Sequence, residues 1–365
     1  MAADSSVDAR GPACPTDRRR VPRRVRAGFH VGTSELKGKE RCPPRSRSRR
    51  AQPSRTAAVT GIAPGIAVTV ALVHDSATRA DSAGAGCVGA YGWPVKPFDR
   101  AHPIRGGFGD PRTVFTGRHS EETVLEGDGT FSFHQGVDIS APDGSPVFSV
   151  SSGTVVRARG DRVTVDCGNG RTFQYWHIEP AARVGQRAVA GRTLLGFVQE
   201  KREHVHLTHL ERGRAVNPLA PGRLTPYRDP TVPRVLAITI VRGAFVAEAI
   251  DMPSLPVPGR WHGFPVTPAL VTWRMESASG HVVAGPRVAR DVRRTVPKND
   301  RFWATFARGT HQNWPVFHGS KEQGLRGHYL FRLAGARRAA GDVIVVTASD
   351  IAGNHGVRRL ELDAL

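Results

Sequence analysis

Three short histidine clusters fall within one segment of the chain: His134-Gln135-Gly136-Val137-Asp138, Tyr175-Trp176-His177 and His204-Val205-His206. Together they supply four histidines and one carboxylate. A catalytic zinc site takes three protein ligands, drawn from neutral imidazole nitrogen and carboxylate oxygen, and keeps a fourth position open for water. His134, Asp138 and His206 meet that requirement, which leaves His177 and His204 for proton transfer. Each cluster also has an ordinary reading. The chain has 15 histidines, so an HxH or HxxxD pair alone says little, and the Tyr-Trp-His run equally suits a strand with an aromatic inner face. The three in this order, in strand-like surroundings, carry the functional reading.

Positioning these groups calls for β-structure. The run from Ser145 to Ala158 is rich in β-branched residues and broken at Gly153. Arg162 to Ile178 reads as a hairpin: Val163 and Val165 alternate with polar residues, and Gly168-Asn169-Gly170 makes the turn. Strand side chains alternate, so Phe173, Tyr175 and His177 are expected on one face. The same period places His204 and His206 together, with Val205 opposite. Two imidazoles on one face of a strand can meet one ion and its water, which a helix cannot arrange at i, i+2 spacing.

With these residues in hand, the segment from about 92 to 227 resembles the lysostaphin-type zinc endopeptidases, which cut peptidoglycan peptides. Their pattern of HxGxD, a Gly-containing turn with a valine-rich strand, YxH and HxH is matched by His134 to Ile139, Asp143 to Val147, Gly153-Thr154-Val155, Tyr175 to His177 and His204 to His206. Phe108-Gly109-Asp110-Pro111-Arg112 resembles the FGxxR stretch that precedes the metal cluster. The resemblance implies that His134, Asp138 and His206 bind Zn2+, and that His177 and His204 position and activate water. It also departs from the family. Glu200-Lys201-Arg202-Glu203 stands where a Gly-rich turn is usual, and Leu207 to Glu211 replaces a Phe-Glu pair, so the groove rim and the substrate choice are this chain's own. His209 is read as a surface residue rather than a fourth ligand.

Zinc in such a site lowers the pKa of water toward ~7 and polarises the scissile carbonyl. A histidine with an ordinary pKa near ~6.5 can take the water's proton and return one to the leaving amine. The HExxH helix of thermolysin-like proteases is absent, and no positioned carboxylate pair of the glycosidase kind can be picked out.

At 365 residues, with 40 Gly and 27 Pro, the chain fits two all-β domains behind a leader. The expected division is 1–85, 86–227 for the peptidase and 228–365 for a second domain. The first 85 residues carry a disproportionate share of the +20 net charge. Arg18 to Arg26 and Arg45 to Arg50 are basic runs, yet no aromatic interleaving or nucleic-acid-binding pattern accompanies them, so nucleic acid is not the expected partner. Arginines followed by the uncharged run Thr56 to Val73, then small residues at Ala83 and Ala85, make a signal-peptide-like pattern behind a disordered basic extension. Pro64 and Gly65 argue against a lasting membrane span. The expected location is the cell envelope, periplasmic or extracellular, where anionic cell-wall polymers would attract the basic chain. Cleavage near Ala85 would leave Cys87 and Cys167, for which a disulfide and two free thiols are both open.

Ala215 to Pro233 is proline-rich and reads as a short, fairly rigid linker. Beyond it, 234–241, 269–275, 281–288, 328–334, 342–350 and the stretch from Val357 read as short strands. Together they suggest an immunoglobulin-like β-sandwich. Of its tryptophans Trp261, Trp273, Trp303 and Trp314, most are assigned to the core, with glycan stacking as the other use. Asp350 and Asn354 are read as turn formers rather than calcium ligands. The expected whole is an exported zinc metalloendopeptidase acting on peptidoglycan peptides, with a lysostaphin-like antiparallel core and a C-terminal sandwich. Its rivals are a non-catalytic wall-binding or hydrolase-activating protein that keeps the peptidase fold, and a structural surface protein.

Overall fold

Valine-rich alternation drives the architecture. In a computed structural model, residues 89–115, 129–313, 326–337 and 341–362 are described. The leader and its signal-peptide-like run, together with Cys87 and Trp314, lie outside them. The described N-terminal part holds β1 (Ile104–Gly106), β2 (Pro111–Phe115), β3 (Gly129–Phe133), β4 (Val137–Ser140), β5 (Pro146–Phe148), β6 (Gly153–Arg159), β7 (Arg162–Gly168), β8 (Arg171–Trp176), β9 (Ile178–Pro180), β10 (Arg187–Ala188), β11 (Leu194–Val198), β12 (His204–Glu211) and β13 (Arg214–Val216). The main sheet runs β1-β4-β12-β8-β7-β6-β10, with β13 also on β12, and all these pairs are antiparallel. A smaller sheet, β5-β11-β9, covers one of its faces.

Cross-strand register sorts the two faces. Val137, Leu207, Tyr175 and Val163 lie side by side across β4, β12, β8 and β7, and all are fully buried. With Ile139, Val205, Phe173, Val165 and Val155 they form the core beneath the sheet. Full burial of one such side chain contributes ~1.5–3 kcal/mol. The opposite face carries Asp138, His206, Trp176 and Arg162 in another cross-strand row. The hairpin turn is as expected: Gly168 pairs with Arg171, which leaves Asn169 and Gly170 as a two-residue loop with φ of 53° and 73°. Cys167, just before it, is disulfide-bonded.

The remaining strands are β14 (Arg234–Val241), β15 (Ala244–Ile250), β16 (Leu270–Glu276), β17 (Val282–Asp291), β18 (His311–Asn313), β19 (Arg326–His328), β20 (Leu330–Arg332), β21 (Val343–Ser349) and β22 (His355–Glu361), with one short helix, α1 (Phe302–Thr305). The sheets β14-β15-β20 and β17-β16-β21-β22 share one core. Val235, Phe245, Ala247 and Phe331 come from the first, and Val271, Trp273, Ile344 and Val346 from the second. Among the described residues no helix is long and apolar enough to cross a membrane.

The described residues fall in one compact unit, and two features interlock its parts. Phe133, at the end of β3, belongs to the C-terminal core, where its ring meets Phe302 and Phe306. Asp110 is fully buried and accepts N–H or O–H from Gly107, Thr267 and Gln312, drawing residues some 200 positions apart onto one carboxylate. The proline-rich stretch expected as a linker is instead packed down. Leu224 is buried and bridges to Tyr91, and Trp93 donates its indole N–H to the Pro226 carbonyl, because apolar residues sit between the prolines and need cover. Trp273 is in the core and Trp303 packs against it, whereas Trp261 lies under an arginine instead. Asp350 caps its own turn through the Gly353 and Asn354 N–H groups, as read from the sequence.

Candidate metal centre

β4 and β12 run side by side with Asp138 opposite His206, so their side chains rise together from the same face. His134 precedes β4, and its backbone is fastened to the Phe108-to-Arg112 stretch: its N–H donates to the Asp110 carbonyl and its carbonyl accepts from Gly109. The side-chain atoms converge. His134 Nε2 is 2.7 Å from His206 Nδ1 and 3.1 Å from Asp138 Oδ1, and His206 Nδ1 is 3.0 Å from the same oxygen. His134 and Asp138 are buried.

The other ring nitrogens are already used. His134 Nδ1–H donates to the Gly107 carbonyl at 2.8 Å, and His206 Nε2 lies 2.7 Å from the Thr208 hydroxyl. The carbonyl fixes the tautomer of His134 and points its lone pair at the cluster. Burial lowers the His134 pKa to about 4, which keeps the ring neutral as a ligand must be. Burial works to raise Asp138, but a protonated His134 and then Arg112 outweigh it and hold the carboxyl well below the usual range; with His134 neutral, the Arg112 guanidinium at 2.7 Å is the cation that does so. Acceptor nitrogens crowded against a carboxylate oxygen repel one another unless a proton or cation lies between them. The donor set, two imidazoles and one carboxylate, is one that Zn2+ takes. The residues therefore fit the metal.

Two glycines make room. A Cβ on Gly136 would lie 2.7 Å from His206 Nε2 and 2.4 Å from the Leu207 carbonyl oxygen, and one on Gly106 would lie 2.5 Å from Asp138 Oδ2. The glycine of the HxGxD pattern is thus where the second histidine passes.

His177 departs from expectation. Continued alternation would put it with Phe173 and Tyr175 in the core, away from Asp138. β8 ends at Trp176, and His177 adopts a left-handed backbone with φ 62°, which turns the ring to the metal face. There it lies 4.7 Å from the ring of His204 and 6.3 Å from that of His206. Asp161 Oδ2 is 3.6 Å from His177 Nδ1, too far for a hydrogen bond. His204 Nδ1–H donates to the Arg202 carbonyl at 2.6 Å, leaving Nε2 3.7 Å from Asp138 Oδ1 and 3.4 Å from Arg105 Nη2. Burial lowers His177 to about 4 and His204 to about 3, so both rings are neutral near pH 7.

His209 is neither a ligand nor a surface residue. Its register partner is Phe173, so it points to the opposite side of the sheet, where it is buried, stacked on Phe173 and bonded by Arg223. The turn before HxH also has a physical account. Lys201 and Glu203 hold left-handed φ values of 66° and 54° without glycine. The Asp143 carboxylate accepts the N–H groups of Lys201, Arg202 and Glu203 and holds the turn shut.

The five residues line a cleft of about 550 Å³, joined by Arg105, Arg112, Trp176 and Arg202 and, from the C-terminal part, Asn299. Arg112 donates to Asp138 Oδ2 at 2.7 Å and, through Nη1, to Gln312 Oε1. The link from Asp138 through Arg112 to Gln312 escaped sequence reasoning, since nothing in a lone Gln so far along the chain points to the metal cluster. Arg162 stacks 3.9 Å from the Trp176 ring centre beside it.

Buried His134 and Asp138 and half-buried His206 thus stand together on one face of an antiparallel sheet. Residues 132–218 match the model of Peptidase family M23. No curated protein matches the chain. Among solved structures, the chain is similar to the SpoIIIAH and SpoIIQ complex at 21% identity over 35% of this chain and 97% of that one, with a TM-score of 0.26. It is similar to a zinc-containing peptidase from Vibrio cholerae at 24% identity over 35% and 39% of the two chains, with a TM-score of 0.28. A third is a mutant catalytic domain of the prophage-encoded M23 protein EnpA from Enterococcus faecalis, at 26% identity over 30% and 92%, with a TM-score of 0.22.

Proposed function

We propose that the protein is a zinc-dependent metalloendopeptidase that hydrolyses peptide bonds in bacterial peptidoglycan. The convergence of His134 Nε2, Asp138 Oδ1 and His206 Nδ1 within about 3 Å carries this reading. These three residues would hold the metal, which when bound would polarise the scissile carbonyl and acidify the attacking water. His204 accepts a proton at Nε2, since its Nδ1–H is committed to the Arg202 carbonyl. The proton taken by His204 is then passed to the leaving amine through His177, whose ring lies 4.7 Å away. Trp176 and the arginines wall the cleft and position the peptide.

The reading includes export to the cell envelope by the signal-peptide-like leader, retention on anionic wall polymers by the basic chain, and a C-terminal immunoglobulin-like domain over 228–365. Mass spectrometry of material released from purified peptidoglycan by the zinc-loaded protein tests it. New amino termini within the stem or bridge peptides are expected. One bound zinc with no released fragment would favour a wall-binding or hydrolase-activating role.

A further inference from the structure

Arg105 is a charged group in the metal cleft with no carboxylate of its own. Its guanidinium lines the cleft, yet among the described residues it makes no ion pair. Nη1 is buried without a hydrogen-bond partner, and Nη2 has only the His204 Nε2, at 3.4 Å. The nearby acids are engaged elsewhere: Asp138 Oδ2 is taken by Arg112, and Glu203 pairs with Arg260 at 3.2 Å. A partly buried cation left uncompensated is costly, and a protein keeps one where a ligand supplies the counter-charge.

The placement of Arg105 is built rather than accidental. Its guanidinium lies 4.3 Å from the centre of the Trp261 ring, a contact from the C-terminal part of the chain. That stacking fixes the plane of the guanidinium, and a planar, weakly hydrated cation of fixed orientation is suited to a carboxylate. Arg202 brings a second, exposed guanidinium to the same cleft from the turn clamped by Asp143. In the sheet order β1-β4-β12-β8 the cluster lies between Arg105 and Trp176, so a peptide seated on it would run past Arg105.

We infer that Arg105, steadied by Trp261 and assisted by Arg202, forms a subsite for a free carboxylate on the peptide next to the scissile bond. The inference rests on the reading of this cleft as a peptidase site and adds its substrate class: peptides with an unamidated acid at that position. Glutamate-like side chains and free α-carboxylates share the chemistry, and singly amidated ligands separate them.

Calorimetric binding to the full zinc-loaded chain carrying His177→Ala tests this without requiring turnover. The probes are a cross-linked stem-peptide dimer with free carboxylates and the same dimer with those groups amidated. The free acid should bind about 10- to 100-fold more tightly, the range for a hydrogen bond to a charged group. Arg105→Met should bring the two affinities together, and Arg105→Lys should restore part of the gap. Equal binding of both dimers by the parent, binding of neither, or a preference that survives Arg105→Met each overturns the subsite. A loss in Arg105→Met that is equal for acid and amide would show that Arg105 acts through His204 instead. Hydrolysis by the wild-type chain is read separately. If neither dimer is cut while the acid preference holds, the peptidase reading fails and the carboxylate subsite stands.

Discussion

Arg112 bonds the Asp138 oxygen that faces away from the histidines. Its Nη2 donates to Oδ2 at 2.7 Å, while Oδ1 lies 3.0 Å from His206 Nδ1 and 3.1 Å from His134 Nε2. One carboxylate is thereby divided between an arginine that orients it and a cluster that needs its other oxygen.

Removing that orientation should loosen the metal without deleting a ligand. Arg112→Ala is expected to weaken zinc affinity ~10–100-fold, the usual cost of losing an outer partner. His206→Ala should lose most of the metal outright. Competition with a chromophoric chelator reads both. Unchanged affinity in Arg112→Ala would remove Arg112 from the centre, and full occupancy in His206→Ala would refute the ligand assignment.

His177→Ala and His204→Ala should each keep zinc and lose ~10²–10⁴-fold in turnover on a cleavable wall peptide, the range for general acid–base catalysis. Elemental analysis and steady-state kinetics on the same preparation separate the two effects. A variant with near-wild-type kcat would take its histidine out of proton transfer.

Asp110→Ala should destabilise the protein by ~3 kcal/mol or more. It strands the Gly107 and Thr267 N–H groups, the Thr267 hydroxyl and the Gln312 amide inside the structure. Urea unfolding followed by tryptophan fluorescence measures it, and a change under 1 kcal/mol would show the network to be dispensable.

Asp251 sets an opposite kind of pH dependence from most carboxylates. Burial, then repulsion from Asp229 and Asp350, raises it to about 8; the Met252 N–H partly offsets this, and Asp110 adds to the repulsion. In the unfolded chain it ionises near its ordinary value of 3.8. Between those values the folded state holds a proton that the unfolded state has lost, so this group's contribution is greatest at low pH and is lost as pH rises through about 8. Stability should therefore rise on acidification from pH 8 toward 5, and Asp251→Asn should flatten that slope. Thermal melts across this range test it, and an identical slope in the variant would reject the assignment.

The convergence of His134, Asp138 and His206 was legible because its parts are local. HxGxD fixes three features within five residues, and the two-residue period of β12 sets His204 and His206 on one face. The hairpin at Asn169-Gly170 was equally plain. His177 was found by type but misplaced by period, since a single left-handed residue reverses a face without marking the sequence. β15 was missed because three alanines and a glutamate dilute Phe245, Val246 and Ile250 in the run Ala244–Ile250, although Ala247 and Ala249 are buried in the core. The packed proline-rich stretch and the Asp110 network were hidden for a common reason. Each depends on partners far along the chain, and no local pattern records them.

The burial of Asp110 also imposes an order in time. A ribosome makes the Phe108-to-Arg112 stretch and all the candidate ligands well before Thr267, Arg290 and Gln312. Until those residues emerge, the carboxylate has no Thr267 or Gln312 to accept from, and the Gly109 carbonyl lacks the Arg290 guanidinium. Phe133 likewise waits for Phe302 and Phe306. The backbone that holds His134 is thus completed last, and a chain interrupted before residue 312 carries every ligand on an unfinished scaffold.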